Sequence, residues 1–262
     1  MLRALPFGLP AAAVVVLAFA GCAKDPLKPA EGVINGQVTN GSGQPIAAAE
    51  VSLSFELAAV PAPARPFATR RPRTDDIAPV IGPRSFFVSN NPCSLGVVAI
   101  QLSAPDTSVT RLEILDRHGA SRRVLAIRTF QPGIFSLQWD GHDDLGNLLP
   151  PDLYTANWTD VEGDSTFHFS LPVLWEATTP DRGVNAFTRA DGRFTISLAD
   201  LPIGESFESV DPAGDTHGQV TIRPVVSFVV RAQVGGVTHV GHLIDVDLGN
   251  LKADVPVLIQ LP

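Results

Sequence analysis

The chain has 262 residues, enough for one large domain or two small ones, and 45% of them are hydrophobic, which excludes disorder of the whole chain. With 27 acidic residues against 19 basic ones the net charge is −8, so nucleic-acid binding through charge is not expected. Two Cys are too few for a disulfide scaffold or a four-cysteine zinc site.

The first 21 residues read as an export signal. Arg3 and the amino terminus supply the positive end, Ala11–Ala20 the apolar stretch, and Ala20-Gly21 the small residues before a cleavage point. Pro6, Gly8 and Pro10 interrupt the first half, which disfavours a permanent span of about 20 apolar residues. Leu17-Ala-Phe-Ala-Gly-Cys22 resembles the bacterial lipobox, with Phe19 where Leu is usual. The resemblance implies that Cys22 is lipidated and becomes the amino terminus, and several acyl chains on one residue, palmitate among them, give stable membrane attachment. Neither Ala23 nor Lys24 resembles the Asp that keeps such proteins at the inner membrane, so an outer-membrane lipoprotein of the bacterial cell envelope, periplasmic or surface-facing, is expected. Cleavage removes 21 residues and one charge, Arg3, leaving 241 residues with a net charge of −9.

Residues 22–31 form a polar tether with Pro26 and Pro29. Val33–Thr39 reads as a strand, Asn40-Gly-Ser-Gly-Gln-Pro45 as a turn, and the alternating Ala49–Phe55 as a second strand. Residues 58–84 carry six Pro and five Arg and read as a solvated connector. Predicted strands resume at Leu95–Leu102, Val109–Asp116, Arg122–Arg128, Gly133–Trp139, Asp152–Thr159 and Ser165–Ser170. Phe135, Leu137 and Trp139 alternate with polar neighbours, as do Tyr154, Ala156 and Trp158, which is the period of a half-buried strand. After a loop at 178–183, Val184–Arg189 and Arg193–Leu198 flank the turn Ala190-Asp-Gly192. Gln219–Ala232, Gly236–Leu248 and Val255–Leu261 complete the chain. No stretch of ten residues has helical periodicity, so the fold class is all-β, built of antiparallel β-sandwiches.

Between Asn91-Pro-Cys-Ser94 and Tyr154 the sequence resembles the FlgD-type Ig-like domain of hook-capping and other secreted bacterial proteins. The carriers are the Asn-Pro start, Asp116-x-x-Gly119 and Trp139-Asp-Gly-His-Asp-Asp-Leu-Gly-Asn147 before a Tyr-bearing strand. Asp152 stands where that family has Gly, and Cys93 where Phe is common. The flanks resemble a carboxypeptidase regulatory-like, transthyretin-like sandwich, on Gly32–Leu53, Thr188-Arg-Ala-Asp191-Gly192-Arg-Phe194-Thr-Ile196 and Leu201-Pro-Ile-Gly204. Together these imply a split sandwich of 32–57 and 174–262, interrupted by the 58–84 linker and an Ig-like module at 85–172. Insertion at a surface loop is tolerated when the guest's ends lie close together.

Candidate chemistry is sparse. Asp140, Asp143 and Asp144 offer oxygens to Ca²⁺ but lack the EF-hand spacing, and the preferred reading is a tight turn in which Asp140 caps and Gly141 and Gly146 take positive φ. Trp139, Tyr154 and Phe194 are expected in cores, and Asp191-Gly192 in a turn. His239 and His242 are three apart, so on a strand they face oppositely and do not share a metal. Asp245 and Asp247 are expected on one solvated strand face. No nucleophile elbow, His-Glu-x-x-His or phosphate loop is present. The expectation is therefore a lipid-anchored envelope protein with no cofactor, no resident metal and no catalysis, whose modules serve structural, display or interaction roles toward another envelope protein or a glycan. Carbohydrate binding and an accessory role to a secreted hydrolase are the alternatives.

Overall fold

The computed structural model describes residues 32–60, 84–93, 96–176, 183–251 and 256–262. The signal, Cys22, the tether up to residue 31 and most of the linker lie outside them. Fifteen strands follow in order: β1 (Val33–Thr39), β2 (Glu50–Ala59), β3 (Ser85–Ser89), β4 (Val98–Ala104), β5 (Ser108–Leu115), β6 (Ser121–Phe130), β7 (Gly133–Trp139), β8 (Asp152–Glu162), β9 (Ser165–Trp175), β10 (Ala186–Phe187), β11 (Arg193–Ser197), β12 (Ser206–Val210), β13 (Thr216–Val234), β14 (Val237–Asp247) and β15 (Val257–Gln260). Two single-turn 3₁₀ helices, Leu198–Asp200 and Leu248–Asn250, are the helical segments among these residues, so no described helix is long enough to cross a membrane. The protein is all-β.

The strands form four sheets, ordered β11-β1-β15, β10-β2-β13-β12 with β14 also on β13, β3-β4-β7, and β6-β5-β8-β9. Every pairing between named strands is antiparallel except β1 with β15. Alternation along each strand turns apolar side chains into two separate cores. The first two sheets share one around Ile34, Val38, Val51, Leu53, Phe194 and Phe228. The other two share the second, around Ile100, Leu112, Trp139, Trp158 and Trp175. The chain thus begins the first sandwich with β1 and β2, builds the second with β3–β9, and returns to the first with β10–β15.

Several elements differ from the sequence reading. Ala58 and Ala59, read as the start of the linker, pair with Thr221 and Val220 and prolong β2. Strand β9 continues past Ser170 to Trp175, and its last residues alternate between the two cores: Val173 and Trp175 in one, Leu174 in the other. The Val184–Arg189 strand shrinks to two residues. A register shift opposite Val226 and Phe228, with Asp245 at φ 54, interrupts β14 before Val246; Asp245 and Asp247 are both exposed.

Candidate functional site

The turn after β7 is built from its own carboxylates. Asp140 Oδ1 accepts from the His142 N–H at 3.2 Å, and Trp139 Nε1 donates to the His142 carbonyl at 3.1 Å. Asp143 Oδ1 accepts from the N–H groups of Leu145 and Asn147 at 2.9 and 2.8 Å, while Asp143 Oδ2 takes the Asn147 amide at 3.1 Å. Asp144 Oδ1 reaches instead to the Val124 N–H at 3.1 Å. The amide and N–H of Asn147 hold the Asp143 carboxyl below its ordinary range. Burial raises that of Asp140, but the His142 N–H and ring outweigh it and leave it lowered. The three carboxylates thus serve three different backbone segments, and no group of three or more metal-ligating side chains converges among the described residues.

Gly141 (φ 79) and Gly146 (φ 81) occupy the left-handed region. At Gly141 contact also matters, since an added Cβ would land inside the Trp175 ring. Trp139 is fully buried, with its ring 5.2 Å from those of Tyr154 and Trp175. The Tyr154 hydroxyl donates to the Pro150 carbonyl at 2.8 Å, and burial pushes its ionisation well above the ordinary value. In the other sandwich, Asp191 Oδ1 accepts from the Arg193 N–H at 3.0 Å, Gly192 sits at φ 72 against the Val38 carbonyl, and Phe194 is buried over Gly36. All three Trp and the single Tyr are buried, so none offers a face on which a sugar ring could stack.

His239 stands opposite Ala232 and His242 opposite Val229 on β13, and the His217 ring lies 3.3 Å from an Asp211 carboxylate oxygen. Cys93 is buried.

Other residues, whose joining role the sequence did not show, tie the two sandwiches together. Asn91 is 3% exposed. Its Nδ2 donates to the carbonyls of Pro172 (2.9 Å) and Glu208 (3.3 Å), and its Oδ1 accepts from the Leu174 N–H at 2.9 Å. Its backbone exchanges two 2.8 Å bonds with Val210 of β12. One amide thus ties the second sandwich's edge strand β9 to the first sandwich's edge strand β12. Asn185 Nδ2 adds a 3.2 Å bond to the Pro151 carbonyl, and Glu176 accepts from the Phe55 N–H. A cleft of about 80 Å³ opens beside Asn91, between Phe86, Leu171, Glu208 and Val210. Pockets that take drug-sized ligands run to roughly 300–1,000 Å³.

Two buried polar groups complete the picture. Asp160, fully buried, accepts from Thr110 Oγ1 at 2.7 Å and from Arg84 Nε at 2.9 Å, which fixes the start of β3 to β8. The Thr188 hydroxyl donates to the Ile46 carbonyl at 2.7 Å and accepts from the Ala49 N–H at 2.8 Å, closing the β1–β2 loop. The Asn-Pro pair and the Thr-x-x-Asp-Gly pattern mark where Asn91 and Thr188 stand; their partners lie 81 to 142 positions away and carry no local signal.

Fold and seam together define a non-local, double-sandwich all-β protein. No family model matches the chain, and no curated protein matches it. Among solved structures, FlgD from P. aeruginosa is similar over 47% of this chain and 96% of that one, at 15% identity and a TM-score of 0.28. A likeness that loose assigns no ligand or role.

Proposed function

We propose that the protein is a lipid-anchored, non-catalytic component of the bacterial cell envelope, held to a membrane through Cys22 and presenting two joined β-sandwiches as a spacer or interaction body. The observation that carries the structural part is where the conspicuous polar residues end up. Asp116, Asp140, Asp143 and Asp191 hold turns, and Asn91 ties the sandwiches together. Side chains committed to backbone hydrogen bonds in this way hold loops and interfaces in fixed geometry. The anchor rests on Leu17–Cys22, and its partner would be another envelope component.

Metabolic labelling with a clickable palmitate analogue tests the anchor. The wild-type chain takes up label and fractionates with membranes, whereas Cys22→Ala does neither. Equal labelling of both, or none of the wild type, would sink the anchor.

A further inference from the structure

We infer that strand β14 is a self-association edge, through which two copies of this chain pair antiparallel and join their β10-β2-β13-β12/β14 sheets into one. This inference does not depend on the proposed anchor. Among the described residues, β14 pairs with β13 alone, leaving the other side of an 11-residue strand with unpaired backbone donors and acceptors. Long edges in soluble proteins are protected by Lys, Arg or Pro, by brevity, or by bulges. Among the described residues, every other edge strand except β7 carries such a device. Strand β6 has Arg122, Arg123 and Arg128, β9 has Pro172, and β3, β10, β11, β12 and β15 are five residues or shorter. Strand β7, seven residues long, exposes only Ile134 among its large apolar side chains.

β14 has none of these from Val237 to Ile244. That run contains no Lys, Arg, Pro, Asp or Glu, and it exposes Val237 (59%), Val240 (43%) and Ile244 (69%). The bulge, at Ile244 and Asp245 (φ 54), comes at the end of that run. On the strand's inward side Gly241 is buried, and Leu261 of the C-terminal segment stands where a side chain at Gly241 would be.

Charge selects the occupant and its direction. Two molecules of net charge −8 repel each other, yet an antiparallel pairing centred near Val240 and Gly241 brings together only uncharged stretches and histidines. It sends each copy's Asp245 and Asp247 to opposite ends of the paired run. A parallel pairing would set those carboxylates side by side. The run spans about 27 Å of edge, a small contact for which weak, concentration-dependent association is expected.

Sedimentation equilibrium of the full chain in density-matched detergent, over a concentration series up to about 500 µM, reads this directly. The wild type should move with concentration from the mass of one chain toward twice that mass. Val240→Lys and Val237→Lys should remain monomeric with an unchanged circular-dichroism spectrum, while Ile134→Lys on β7 should behave as wild type. A wild type that stays monomeric throughout, or association untouched by both β14 variants, would overturn the inference.

Discussion

Gly141 and Asp152 sit at two ends of the same cluster and have opposite energetic signs. At Gly141 the backbone requires positive φ and the Trp175 ring occupies the space of a side chain. Gly141→Ala should therefore lower stability by about 2–4 kcal/mol, through left-handed strain and overpacking, read from urea midpoints. Asp152 is a carboxylate whose burial pushes its pKa up to about 6, with Arg117 and the Leu153 N–H opposing. A folded-state pKa above the unfolded value near 3.9 means the folded protein binds the extra proton. This group's contribution is then complete below pH 4 and is lost as pH rises through 6. Asp152→Asn should raise stability at pH 7 by on the order of 2 kcal/mol and flatten that decline, measured as melting temperature between pH 4 and 8. An equal decline in both proteins would show that Asp152 is not its source. Trp139 and Tyr154 were legible as core residues because period-two alternation is local. The burial of Asp152 was not, since Asp116 and Arg117 reach it from another turn.

At the scale of elements, β1 and β7 were read from sequence with the bounds they have, because each is a short alternating run ended by turn residues. Strands β3 and β12 were missed for a physical reason: each has five residues, and Ser85-Phe-Phe-Val-Ser89 does not alternate at all. Strand β9 was expected to stop before Pro172, but it is an edge strand, where proline removes no ladder bond, and the Pro172 carbonyl serves Asn91. Beside its ladder with β4, strand β3 is held at its start by Arg84, which pairs with Asp160 and Glu162 of β8. Asp160→Ala leaves the Arg84 guanidinium with Glu162 as its acidic partner and removes the acceptor of the Thr110 hydroxyl, and should cost about 1–3 kcal/mol. Chemical denaturation of that variant checks the figure; a loss under about 1 kcal/mol, the worth of an exposed ion pair, would mean the pair is not the clamp described.

For the whole molecule, the sequence made the all-β class plain but not the seam, because contacts such as Asn91 with Glu208 join residues more than a hundred positions apart. Two cores that share strand β9, where Leu174 belongs to one and Trp175 to the other, are expected to unfold as one unit. A spacer needs that coupling, since loosely tethered sandwiches would transmit no fixed geometry. Differential scanning calorimetry of the wild-type chain beside Asn91→Ala tests it most directly. The wild type should melt in a single transition whose calorimetric and van't Hoff enthalpies agree, and the variant should split into two. Two independent transitions in the wild type, or one unchanged transition in the variant, would contradict a body locked at its seam.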